Sequence, residues 1–325
     1  MKIGSYTLPS RLLLAPLSGC ADLSFRLIAR EHGCRFCFLE MVDAVSLLRR
    51  QKKTLTLLKA IPEDTPIAAQ ILGSDPRIVI AAALVLLEYA PSIPFLDLNA
   101  ACPAKKVLKK RAGAFLLTDP KRLFAIVETL TATLPIPVTV KMRVGCGETT
   151  AVGVAVIARE CEKRGAAAFF VHGRTQEQQY AGMVDYEAVR TLREAVSVPV
   201  FGSGDVLSPE TAGRMLDETG CAGVLVARGA MGNPWIFQRT EEFLGTGKVP
   251  GLPSFRERMA VASRHIALIE RHKDLPPSGK VGFMRKTALW YLKGFPEASR
   301  VRTMIVSRRS AAEIIDILDN LHPSP

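Results

Sequence analysis

Cys102 stands at the end of the run Phe95, Leu96, Asp97, Leu98, Asn99, Ala100, Ala101, Cys102, Pro103. A thiol and a carboxamide on the C-terminal lip of a buried strand, fixed by a proline, occupy the place where α/β barrels carry their chemistry. Cys102 is therefore the first candidate for a reacting residue; the alternative is a free cysteine packed as a small apolar side chain. The other strand ends decide between them. In order they carry Pro16 and Ser18, Glu40, Gln70, Asn99 with Cys102, Lys141 with Arg143, His172 with Arg174, Ser203 with Asp205, and Arg228. One polar residue at a strand end usually caps a backbone group, but a polar lip on nearly every strand indicates a catalytic mouth.

The last two lips add a specific chemistry. Gly202, Ser203, Gly204, Asp205 and then Ala227, Arg228, Gly229, Ala230 are small, flexible loops beside helix starts. Backbone amides there can cradle a phosphate, with Arg228 as counter-charge; tight βα turns that need glycine for geometry are the alternative. No G-x-G-x-x-G segment is present, so a Rossmann-held nicotinamide is not indicated. A phosphate cup with Gln70 and Lys141 facing the same mouth suits a phosphorylated planar cofactor, and flavin mononucleotide (FMN) meets that description. Lys141 could instead form a Schiff base in an aldolase, which leaves Cys102 without work.

The elements that must position these groups recur regularly. Short apolar or β-branched runs predict strands over Leu12 to Ala15, Arg35 to Glu40, Ile67 to Ile71, Phe95 to Asn99, Val138 to Met142, Ala168 to His172, Val198 to Gly202 and Gly223 to Ala227. Amphipathic stretches of helical length lie between them, such as Arg77 to Tyr89, Lys121 to Thr133 and Ala151 to Arg164. Asp75-Pro76, Asp119-Pro120 and Ser208-Pro209 each set a capping side chain before a proline in the first turn. This alternation predicts a (β/α)8 TIM barrel over residues 1–244. A Gly- and Pro-rich linker (245–253) and a small all-helical domain (254–325) follow.

The 325 residues, 48% apolar and 23% charged, are ordinary for a globular protein. No apolar run reaches the roughly 18 to 20 residues of a membrane span, and no signal segment opens the chain, so a cytoplasmic location without membrane contact is expected. Seven scattered cysteines fit a reducing compartment, and the Cys34/Cys37 pair lacks the second pair that a zinc site needs. The net charge of +12 points to a polyanionic partner. Half of that excess lies from Gly251 onward, where 13 Lys and Arg face 7 Asp and Glu.

Several segments together resemble the tRNA-dihydrouridine synthases. They are Ala15 to Gly19 with Asp22, Phe25 and Arg26; Glu40 to Val42; Gln70 to Gly73; Asn99 to Pro103 with Lys105, Lys106 and Val107; Val140 to Arg143; His172 to Thr175; and Gly202 to Asp205. The run Trp290 to Phe295 resembles the helical tail of the family's bacterial B-type branch. The resemblance implies reduction of the carbon 5 to carbon 6 double bond of uridines in tRNA, with FMN as cofactor and NADPH as electron source. By position it implies that Pro16, Leu17, Ser18, Gln70, Lys141, Ser203, Gly204, Asp205, Ala227 and Arg228 line the flavin site. His172 and Arg174 fall near the phosphate and ribityl side, and Asn99 and Arg174 on the substrate side. The resemblance also implies that Cys102 would protonate carbon 5, a general-acid role that a thiol can fill. The basic tail is expected to bind RNA and the protein to be monomeric.

Four positions depart from the family pattern: Ala101, Ser203 and Ala227 replace a glycine, an asparagine and a glycine, and Arg111 replaces another glycine. None removes a proposed reacting group. Two competing readings are an FMN barrel acting on free pyrimidines or small enones, and a non-catalytic RNA-binding barrel.

Overall fold

In a computed structural model, residues 1–322 are described. The eight expected strands are all present: β1 (Leu12–Leu14), β2 (Cys37–Phe38), β3 (Ile67–Leu72), β4 (Leu96–Ala100), β5 (Val138–Arg143), β6 (Ala166–His172), β7 (Val200–Ser203) and β8 (Gly223–Val226). Every neighbouring pair is parallel, and β8 returns to β1 through Val226 and Leu14, so the sheet closes without an edge. β2 is shorter than the expected Arg35 to Glu40. Its path continues irregularly, with the Leu39 N–H still bonded to the Ala68 carbonyl, before Glu40 turns to receive the amide of Gly19.

Strand parity sorts the interior into layers. Phe36, Phe38, Phe95, Phe170 and Phe201 point inward and fill the lower barrel, with ring centroids 4.9 Å apart for Phe170 and Phe201 and 5.5 Å for Phe36 and Phe95. A short antiparallel hairpin, Lys2–Ile3 with Tyr6–Thr7, plugs this end with Ile3. Two residues farther along the strands the same parity presents Gln70, Asp97, Thr139 and His172, and above them Asn99 and Lys141. The barrel is therefore oily below and polar at its mouth.

Helices form where the sequence supplies caps. Asp75 accepts from the amides of Arg77 and Ile78, Asp119 from Arg122, and Ser208 shares a capping box with Thr211. The helix Ile236–Thr246 runs past residue 244, and residues 247–253 form neither helix nor strand. Ser254 and Glu257 then cap the first tail helix.

We label five helices: α1 (Leu23–Glu31) on the barrel, and α2 (Phe255–His272), α3 (Pro277–Tyr291), α4 (Ala298–Val306) and α5 (Ala311–Asp319) in the tail. The tail has its own core, including Met259, Ile266, Met284 and Ile314, which Trp235 joins from the barrel side. Phe25 of α1 meets His265 and Trp290 edge-on, each at 5.8 Å between centroids. Among the described residues no helix is long and apolar enough to cross a membrane.

Candidate active site

The polar mouth encloses a cavity of about 320 Å³. Its wall includes Pro16, Leu17, Ser18, Gln70, Asn99, Cys102, Lys141, His172, Ser203, Gly204, Asp205, Ala227 and Arg228. Strand register brings them together: Asn99 lies beside Lys141, and His172 beside both Arg143 and Ser203. In strand order β4 and β8 stand four apart in a ring of eight, so the lip carrying Cys102 faces the lip carrying Arg228 across the mouth.

Cys102 is half-buried on a loop fixed from three directions. Asn99 Oδ1 accepts from the backbone amides of Ala101 at 3.1 Å and Cys102 at 2.9 Å. The Cys102 carbonyl accepts from the Ala114 N–H at 3.1 Å. Arg143 Nε donates to the Ala101 carbonyl at 2.8 Å, while its Nη1 reaches the carbonyls of Thr175 and Gln179. Gly113, at φ +64°, packs flat against this loop; a Cβ there would lie 2.7 Å from the Cys102 oxygen. Asn99 also donates to Gln70, which leaves it one amide hydrogen for a ligand.

Charge is unevenly satisfied around the wall. Burial, then the nearby Arg143, brings the Lys141 ammonium down to about 8, and its Nζ makes no hydrogen bond among the described residues. Burial, followed by Lys141 and Arg143, pushes His172 down to about 2, so the ring is neutral. Its Nε2 is buried without a partner. Hydrogen bonding from Arg174 first holds Asp205 below the usual carboxylate range, and Arg228 adds a contact at 2.6 Å. Gly204, at φ +124°, leaves a hollow where a Cβ would press on Val184 at 2.9 Å and His172 Cδ2 at 3.1 Å. An unpaired ammonium, an orphaned imidazole nitrogen and a glycine hollow beside Arg228 fit a phosphorylated cofactor with a polar ring edge.

Arg174 is the predicted residue that this cavity does not include. Its guanidinium is 2% exposed; Nε and Nη2 donate to the carbonyls of Ala181 and Gly182 and to the Asp205 carboxylate, while Nη1 is buried without a partner. Arg174 thus braces Asp205, beside the cavity, with one guanidinium nitrogen left unpaired. Arg143, read from the sequence as a polar strand end without an assigned role, also lines the cavity, as does Tyr180, which the sequence did not mark. Arg143 shares the inward parity of Lys141, a readable signal. Tyr180, its ring 5.1 Å from the Arg228 guanidinium and 5.8 Å from that of Arg143, comes from an irregular loop whose path no local pattern announces.

Comparison with known proteins agrees with this geometry. The dihydrouridine synthase family model matches residues 13–321. The chain is 37% identical over 303 residues to tRNA-dihydrouridine synthase B of Pseudomonas aeruginosa, covering 93% of this chain and 90% of that one. It is 34% identical over 324 residues to probable tRNA-dihydrouridine synthase 1 of Synechocystis sp., covering 98% of this chain and 88% of that one. Among solved structures the old yellow enzyme from Trypanosoma cruzi shares the fold, with a TM-score of 0.58 at 12% identity over 79% of this chain and 93% of that chain. With a family match that spans the barrel and nearly all of the tail, the chain belongs to the dihydrouridine synthase family.

Proposed function

We propose that this chain reduces the carbon 5 to carbon 6 double bond of selected uridines in tRNA to dihydrouridine, with bound FMN as cofactor and NADPH as reductant. The observation that carries this reading is the fixed Cys102 loop facing the Arg228 cup across one cavity, with the unpaired Lys141 ammonium in the same wall. FMN, when bound and reduced, supplies two electrons and one hydrogen to carbon 6 of the uracil. Pro16, Leu17, Ser18, Gln70 and Lys141 would hold its ring, and Ser203, Gly204, Asp205, Ala227, Arg228 and neutral His172 its ribityl phosphate. Cys102 gives its proton to carbon 5, which completes the saturation. Asn99 offers its remaining amide hydrogen to the uracil edge while holding the Cys102 amide, so one side chain aligns base and acid.

The base must leave the tRNA stack to reach this cavity, at a cost of a few kcal/mol that backbone contacts elsewhere must offset. The tail (residues 254–325) supports that role as an RNA-binding domain beyond a linker. Not all of its cations are available. Arg258, Arg264, Lys273, Lys280, Arg285, Lys286 and Arg300 are engaged within the protein. Arg256, Arg271, Lys293, Arg302 and Arg309 are exposed, and their side chains make no ion pair or hydrogen bond among the described residues; these carry the phosphate contacts. A tRNA substrate is consistent with a cytoplasmic, monomeric enzyme.

Cys102→Ala is expected to keep bound flavin and its reduction by NADPH while losing most uridine reduction, followed by mass spectrometry of dihydrouridine in tRNA. Unchanged turnover on tRNA would overturn the proton-donor role.

A further inference from the structure

Asp97 is fully buried, belongs to the barrel interior below the cavity, and has no part in the chemistry above. We infer that Asp97 is a positioning residue for the Cys102 loop, acting through the oriented side-chain amides of Gln70 and Asn99. This rests on the reading of Cys102 as the proton donor.

Direction is the substance of the inference. The two ends of a carboxamide have nearly the same shape, so packing alone does not choose which way Gln70 or Asn99 points. Asp97, when ionised, can only accept. Its Oδ1 takes the hydroxyl of Thr139 at 2.7 Å, and its Oδ2 takes Gln70 Nε2 at 2.6 Å. That contact turns Gln70 Oε1 toward Asn99, where it accepts Nδ2 at 2.7 Å. Asn99 Oδ1 is thereby turned to the loop and accepts the Ala101 and Cys102 amides. Each orientation follows from the one before it, and the carboxylate is where the order starts. Strand register makes the relay possible, because Asp97 is paired with Gln70 on one side and Thr139 on the other.

A packing role does not explain the residue. Burial pushes the carboxyl up to about 7, no cation forms an ion pair with it among the described residues, and aromatic rings fill the layer beneath. An apolar side chain of similar volume would spare the fold that desolvation.

The test compares flavin-loaded Asp97→Leu, Asp97→Asn and the doubly substituted Asp97→Asn/Thr139→Val protein with the wild type. Leucine removes the directing acceptor. Asparagine alone keeps an acceptor toward Gln70, because the Thr139 hydroxyl can reverse and accept its amide. The near-isosteric double substitution removes that bias and serves if the leucine protein does not fold. In Asp97→Leu the desolvation spared is offset by the Thr139 hydroxyl and Gln70 amide left without their acceptor, so its melting temperature should stay near the wild type. Amide exchange at Ala101 and Cys102 should quicken by about 10-fold. The tRNA-driven reoxidation of the flavin should slow by about 10- to 100-fold, more than its reduction by NADPH, which Gln70 beside the ring also influences. Asp97→Asn should stay near wild type, and the double substitution should shift in the same direction as leucine. Unchanged loop exchange in both the leucine and doubly substituted proteins overturns the relay, whatever happens to turnover. Faster exchange with unchanged turnover supports the relay and instead removes Cys102 from the acid role.

Discussion

Gly113→Ala tests whether catalysis depends on the rigid seat of Cys102. Gly113 sits at φ +64°, a region that costs an L-residue roughly 1–2 kcal/mol. The added Cβ would lie 2.7 Å from the Cys102 carbonyl oxygen and 2.8 Å from Val107 Cγ1. Carbon and carbonyl oxygen settle at about 3.3 Å, so the loop must retreat by about 0.6 Å. Misplacement by about 1 Å can cost 10²-fold in rate, which scales to roughly 10- to 20-fold here. Gly247→Ala is the control, since φ is +72° with nothing within 4 Å of its Cβ. Both substitutions should lower stability in urea, Gly113→Ala by somewhat more. Stopped-flow kinetics should show normal flavin reduction by NADPH in both, with slowed reoxidation by tRNA only in Gly113→Ala. Equal reoxidation rates in the two variants would refute the argument that the loop must be held in place.

The tail offers three more tests. Burial pushes His265 down to about 4 from an ordinary 6.5, so the unfolded chain binds a proton that the folded one refuses; stability is full above pH 6.5 and falls by up to about 3 kcal/mol toward pH 4. Urea melts at pH 7 and 5 should show this, and His265→Gln should flatten it; an unaltered pH slope would remove His265 as the cause. Replacing both Lys293 and Arg302 with alanine should lower the slope of log tRNA affinity against log salt by about 1 to 2, whereas Arg258→Ala, which removes bonds to the Tyr291 and Lys293 carbonyls, should loosen the tail itself. Lys286→Ala should weaken flavin binding roughly 3- to 10-fold in a fluorescence titration by releasing the Gly19 carbonyl, held at 2.7 Å; an unchanged dissociation constant would separate tail from cofactor.

Barrel and mouth were legible because they rest on local rules. Apolar runs bounded by Asp-Pro and Ser-Pro caps mark strand and helix, and parity then forces Gln70, Asn99, Lys141 and His172 into one cavity. What was not legible depends on where a side chain ends rather than where it starts. Arg174 and Arg228 both follow a strand near the mouth, but one is drawn back by the Ala181 and Gly182 carbonyls. Asp97 looks like an interruption in an apolar strand until Gln70 and Thr139 are seen to converge on it. The evenly scattered cations of the tail divide into structural ties and exposed charges only once α1, α2 and α3 are packed together.

That division changes what the tail is. An RNA-binding appendage on a linker would be separable from the flavin barrel, yet α2 and α3 reach into the segment that lines the cavity. Lys286 of α3 holds the carbonyl of Gly19, whose amide is held from the other side by Glu40. Lys273, just beyond α2, pairs with Asp22 at 2.8 Å with both side chains largely buried, and Asp22 caps α1. Pro16, Leu17, Ser18 and Cys20 of this segment line the cavity, so the wall of the cofactor site is fastened to the helices that would carry the RNA. A shift of α3 under a bound tRNA would act directly on the Gly19 carbonyl. If the tail carries the RNA, its docking would act on the flavin pocket through these two contacts, and removing the tail should loosen the cofactor as well as the RNA.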